Sequence, residues 1–160
     1  MNQRMIGIYL NDHLAGSVMG SRLAKRIVRQ NDGNEYGTKL AGIAREIEED
    51  RATLRELMDR LGIGEQRARM AMAWVAEKAM RLKPNGNLFR YSPLSRVLEL
   101  ETLTMGITGK LELWRSMEAV NGAKVPGFDF TQLAQRAETQ RDLVEDLRVR
   151  AAREALGEGA

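Results

Sequence analysis

The chain has no cysteine, one histidine and three prolines among its 160 residues, and only 5% of it is aromatic. The lack of cysteine excludes disulfides, thiolate nucleophiles and thiolate-held zinc, and it fits a cytoplasmic setting. One histidine, with no serine in a Gly-x-Ser-x-Gly context, leaves little from which to build a hydrolase. No glycine loop has the spacing of a phosphate cradle or a dinucleotide fingerprint. No apolar run reaches the roughly 18 residues of a membrane span, and the first residues carry no signal-peptide core, so no membrane role is expected. The net charge of +3 allows weak attraction to polyanions without arguing for a nucleic-acid protein.

What is present is the material of helices. Hydrophobic residues make up 43% and charged residues 29%, with Ala, Leu, Glu, Arg and Met frequent and breakers rare. The length suits one domain, residues 1–160, with a real core. Five helices are predicted. The first runs from about Gln3 to Gln30 and the second from about Glu35 to Leu61, joined by the turn Asn31-Asp32-Gly33-Asn34. Gly62-Ile63-Gly64 breaks the chain before a shorter third helix, about Glu65 to Leu82, which Lys83-Pro84-Asn85-Gly86-Asn87 ends. The fourth starts at Ser92 as N-cap with Pro93 behind it and runs to about Asn121. The fifth starts near Asp129, with Gln132 positioned for a capping box, and continues to about Leu156.

Each long helix carries a stripe at heptad spacing. The first reads Ile6, Leu10, His13, Ser17, Gly20, Ala24, Ile27, and the second Tyr36, Leu40, Ile43, Ile47, Asp50, Leu54, Leu57, Leu61. The fourth reads Val97, Leu100, Thr104, Ile107, Leu111, Trp114, and the fifth Leu133, Ala137, Gln140, Val144, Leu147, Ala151. Amphipathic helices of this length bury their stripes most economically as a four-helix bundle. Short loops make helices one and two, and four and five, antiparallel neighbours. The third helix serves as a crossover. The stripes are interrupted by polar residues, so a buried polar layer of His13, Ser17, Asp50, Thr104 and Gln140 is expected. In it, Asp50 hydrogen-bonds His13 and fixes register. The small-sided stretch Gly16, Ser17, Gly20, Ser21 and Ala24 predicts close approach of a neighbouring helix or of Trp114, with a ligand cavity as the alternative.

Two helical hairpins joined by one long crossover resemble the ferritin-like superfamily, over residues 3 to 156. That resemblance implies a bundle that, in its metal-binding members, holds two irons through Glu residues and paired Glu-x-x-His motifs. This chain departs from the pattern. Three residues after Glu46, Glu48, Glu49 and Asp50 come Glu49, Arg51, Ala52 and Thr53; after Glu138 comes Arg141 and after Gln140 comes Leu143. The reading is therefore a degenerate, non-catalytic ferritin-like bundle acting as a structural or protein-interaction module, a homodimer with no required cofactor. The alternative is a mononuclear metal or redox protein holding iron or another transition metal through His13, Asp50 and Glu101.

A second alternative is a helix-turn-helix over residues 54–82, placing Gln66, Arg67 and Arg69 at base edges. Nucleic acid is not favoured, because the heptad string from Tyr36 to Leu61 makes the preceding helix too long. Met70, Met72, Trp74, Val75, Met80 and Leu82 make the third helix apolar on more than one face, suited to packing on the bundle or to a dimer interface. Arg81, Lys83, Arg90 and Arg96 read as a solvated rim. Arg136, Arg141, Arg148, Arg150 and Arg153 alternate with acids, as on an ion-paired exposed face.

Overall fold

The computed structural model describes residues 2–65, 91–121 and 125–157. Among them the chain is all-helical, with four helices and no strand: α1 Gln3–Gln30, α2 Glu35–Arg60, α3 Pro93–Asn121 and α4 Phe130–Leu156. These bounds lie within a residue of the first, second, fourth and fifth helices expected from sequence. The expected third helix and its loop fall outside the described residues, Glu65 excepted. No helix among the described residues is long and apolar enough to cross a membrane.

Local chemistry sets the ends. Asn2 Oδ1 accepts from Met5 N at 3.2 Å, Asn34 Oδ1 from Tyr36 N at 2.9 Å, Ser92 Oγ from Ser95 N at 3.1 Å and Asp129 Oδ1 from Gln132 N at 2.9 Å. Each satisfies a backbone donor that the first helical turn leaves open. α2 is closed at Gly62, whose φ of +66° suits a residue without a Cβ, with Ile63 N donating back to Met58 O at 2.9 Å.

α1 packs on α2 and α3, and α3 packs closely on α4. The core divides in two. One cluster joins Ile6, Leu10 and Leu14 of α1 to Leu54, Leu57 and Met58 of α2, Leu111, Trp114 and Met117 of α3, and Phe130, Ala134 and Ala137 of α4. The other joins Ala24 and Ile27 to Tyr36, Leu40, Ile43 and Ile47, to Val97, Leu100, Leu103 and Ile107, and to Val144, Leu147 and Ala151. Each fully buried aliphatic side chain here stabilises by about 1.5–3 kcal/mol.

The α1–α2 turn is held by a buried hub. Asn31, 0% exposed, donates through Nδ2 to Ile27 O at 2.9 Å and Tyr91 Oη at 2.7 Å, and its Oδ1 accepts from Arg96 Nε at 2.8 Å. The first turn of α2 presses on this hub. A Cβ at Gly37 would sit 2.2 Å from the Asn31 carbonyl oxygen, a backbone atom that cannot swing aside. Gly37→Ala is therefore expected to destabilise by about 1–3 kcal/mol, read as a lower urea midpoint at unchanged m-value.

Candidate functional site

Between the two apolar clusters lies a polar layer. On α2, Asp50 falls between Ile47 of one cluster and Leu54 of the other; on α3, Lys110 falls between Ile107 and Leu111; on α4, Gln140 falls between Ala137 and Val144. Asp50 is 3% exposed and Gln140 2%. Lys110 Nζ donates to Asp50 Oδ2 and to Gln140 Oε1. Gln140 Nε2 donates to Glu46 Oε2 at 2.7 Å and to Asp50 Oδ2 at 3.2 Å. Arg136 Nε stands 3.4 Å from Asp50 Oδ1, while its Nη2 donates to Glu49 Oε2 at 2.6 Å and to the Glu46 carbonyl at 3.1 Å. The pairs Glu46/Asp50 and Arg136/Gln140 each sit one helical turn apart, which puts both members on one face. Burial pushes the Lys110 amine below the ordinary lysine value, and the Asp50 carboxylate opposes that shift.

Beside this layer a cavity of about 470 Å³ opens between α1 and α3 and reaches α2. Its walls include Gly16 and Gly20 of α1, Gly106 and Gly109 of α3, and Asp50, Lys110 and Trp114. A Cβ on any of these four glycines would meet nothing within 4 Å among the described residues. In the small-sided stretch of α1, Gly16, Ser17 and Gly20 make room instead of bringing a helix close, and so does a second pair of glycines on α3; Ser21 and Ala24 are buried against neighbouring helices, as the sequence suggested.

The expected polar layer assembles in part. Asp50 and Gln140 meet. His13 lines the cavity half-buried, edge-on to Tyr9 with ring centroids 4.6 Å apart, and forms no hydrogen bond among the described residues. The expected His13–Asp50 hydrogen bond is not formed; Lys110 donates to Asp50 Oδ2 and Arg136 stands by Oδ1 as an ion pair without a hydrogen bond. Charged donors satisfy a buried carboxylate more strongly than a neutral imidazole does. Ser17 Oγ donates to Leu14 O at 2.7 Å and Thr104 Oγ1 to Leu100 O at 3.0 Å, so both hydroxyls serve their own helix. Glu101 is exposed and does not line the cavity. It sits one residue off the Leu100–Leu103–Ile107 face, so His13, Asp50 and Glu101 do not converge. Among the described residues no group of three His, Cys, Asp or Glu is placed to hold a metal ion. Gln66, Arg67 and Arg69 lie outside the described residues, as do Met70 to Leu82 and the basic residues Arg81, Lys83 and Arg90.

Lys110, Glu46 and Arg136 join the layer from outside the heptad stripes, and Arg136 turns inward from the face expected to be exposed. Lys110 has a signal in the sequence: it is the only basic residue between Arg96 and Arg115, set between Gly109 and Leu111. Fold and site together define an all-helical protein whose core is split by an internal ion pair beside a glycine-walled cavity. No family model, curated protein or solved structure matches the chain.

Lys110→Met takes the ammonium from Asp50 and leaves it only Gln140 and the more distant Arg136, which should cost about 3 kcal/mol, while the double variant with Asp50→Leu should recover much of that loss. His13→Leu should stay within about 1 kcal/mol and show near-zero coupling to Asp50 in a double-mutant cycle. Burial lowers the His13 pKa and Asp12 opposes it. The unfolded chain then takes up the proton more readily, so stability falls as pH drops from about 7 to about 5. His13→Gln should flatten that slope in denaturation midpoints measured across the range.

Proposed function

We propose that this chain is a non-catalytic bundle of ferritin-like plan, its α1–α2 and α3–α4 hairpins antiparallel, serving as a cytoplasmic structural or protein-interaction module that works as a homodimer. The hairpin directions are supported by the two core clusters. The start of α1 shares a cluster with the end of α2, and the end of α3 with the start of α4. The cytoplasmic placement rests on the absence of cysteine.

The observation that carries the reading is the commitment of the ionisable groups of the central layer to one another. Asp50, Lys110, Gln140, Arg136 and Glu46 form one connected network. Groups so paired fix register and have little capacity left for proton transfer or nucleophilic attack. The dimer is supported by an exposed apolar stripe on α3: Leu94, Leu98 and Met105 are 49%, 54% and 63% exposed at helical spacing. Apolar surface gathered on one face marks association sites more often than scattered residues do. Sedimentation equilibrium should give twice the chain mass of 18.0 kDa, and Leu98→Asp with Met105→Asp should return it to 18.0 kDa with helicity unchanged. A monomeric wild-type protein would overturn the dimer.

A further inference from the structure

We infer that the cavity between α1 and α3 is a binding site for an uncharged, mainly apolar small molecule that carries an oxygen acceptor, a ketone or an alcohol. This goes beyond the interaction-module reading and stands whether or not the chain dimerises.

The volume of about 470 Å³ lies inside the range of natural ligand pockets. Ile47, Leu54, Leu103, Ile107 and Leu113 supply the apolar lining. The four glycines keep that space open. Glycine in mid-helix lowers helix stability, and here no packed neighbour among the described residues requires it.

Two observations select the ligand's chemistry. Trp114 lines the cavity, is 0% exposed, and leaves its indole Nε1 without a hydrogen-bond partner among the described residues. Buried donors are seldom left unpaired, and an acceptor oxygen on a ligand satisfies this one. Both cations on the cavity wall are already paired. Lys110 is paired with Asp50 and Arg51 with Glu48, and Asp12 faces solvent. An anionic ligand would lose hydration and find both cations taken, and a cationic one would find only Asp12, out in solvent, so the site favours a neutral molecule.

The test uses three probes on the full chain by isothermal titration calorimetry: benzophenone, which is apolar with one ketone oxygen; diphenylmethane, the same skeleton without it; and 4-phenylbenzoate, a charged relative. Benzophenone should bind one per chain, more tightly than either of the others. Trp114→Phe should weaken benzophenone about tenfold, the worth of one such hydrogen bond, and leave diphenylmethane unchanged. Gly109→Leu fills the cavity where a Cβ meets nothing within 4 Å. It should abolish binding of both while the thermal midpoint is maintained or raised. No saturable benzophenone binding, or equal binding by a folded Gly109→Leu variant, would overturn the site. Tighter binding of 4-phenylbenzoate, or an effect of Trp114→Phe shared equally by benzophenone and diphenylmethane, would overturn the assigned chemistry.

Discussion

The ion pair between Asp50 and Lys110 governs the rest of this structure. A carboxylate that is 3% exposed is costly in a core unless charge and hydrogen bonds surround it. Here α3 supplies an ammonium, α4 supplies a guanidinium and an amide, and α2 adds Glu46 one turn away. Sliding any of these helices by one turn, about 5.4 Å, would strand the charges. The pair therefore holds three helices in one register that the apolar clusters on either side, being tolerant of many packings, would not specify alone.

α1 contributes no charge to that layer, and this shapes the cavity. At the level of Asp50 the first helix presents Gly16, Ser17 and Gly20 where its partners present long polar side chains. A large apolar residue there would have to pack against an ion pair and would weaken its hydration balance. Small residues leave a gap, and glycines on the facing side of α3 widen it. Polar layer and cavity are thus consequences of one arrangement: charges that must be served from three sides, and a fourth side left open.

The ends of the bundle are fixed by other means. At one end a buried asparagine does what a longer polar network does elsewhere, with Asn31 joining the close of α1 to Tyr91 and Arg96. At the other, Asn11 Nδ2 donates to Gly64 O at 3.2 Å and holds the chain leaving α2 against α1. The ion pairs of α4, such as Arg148 with Glu145 and Arg150 with Glu35, are largely exposed and add little each. They keep the outer face wet and the inner stripe inward.

The helix bounds were legible in the sequence because their causes are local. Asn2, Asn34, Ser92 and Asp129 cap by bonds that span two or three residues, and heptad stripes report a face without knowing what it meets. The interruption of two stripes at Asp50 and Gln140 was legible for the same reason, and both residues proved buried and joined. The partner of Asp50 was not legible. His13 shared its stripe pattern, but Lys110 flanks its own stripe and reaches the carboxylate along a flexible four-carbon stem, which no period encodes. The glycines of α1 were equally ambiguous, since close packing and open space leave the same residues behind. By itself the sequence determined the helices, their inward faces and the presence of polar groups in the core. Only the tertiary structure decided which charges meet and whether small residues bring helices together or hold them apart, because those outcomes depend on distances between segments remote in the chain.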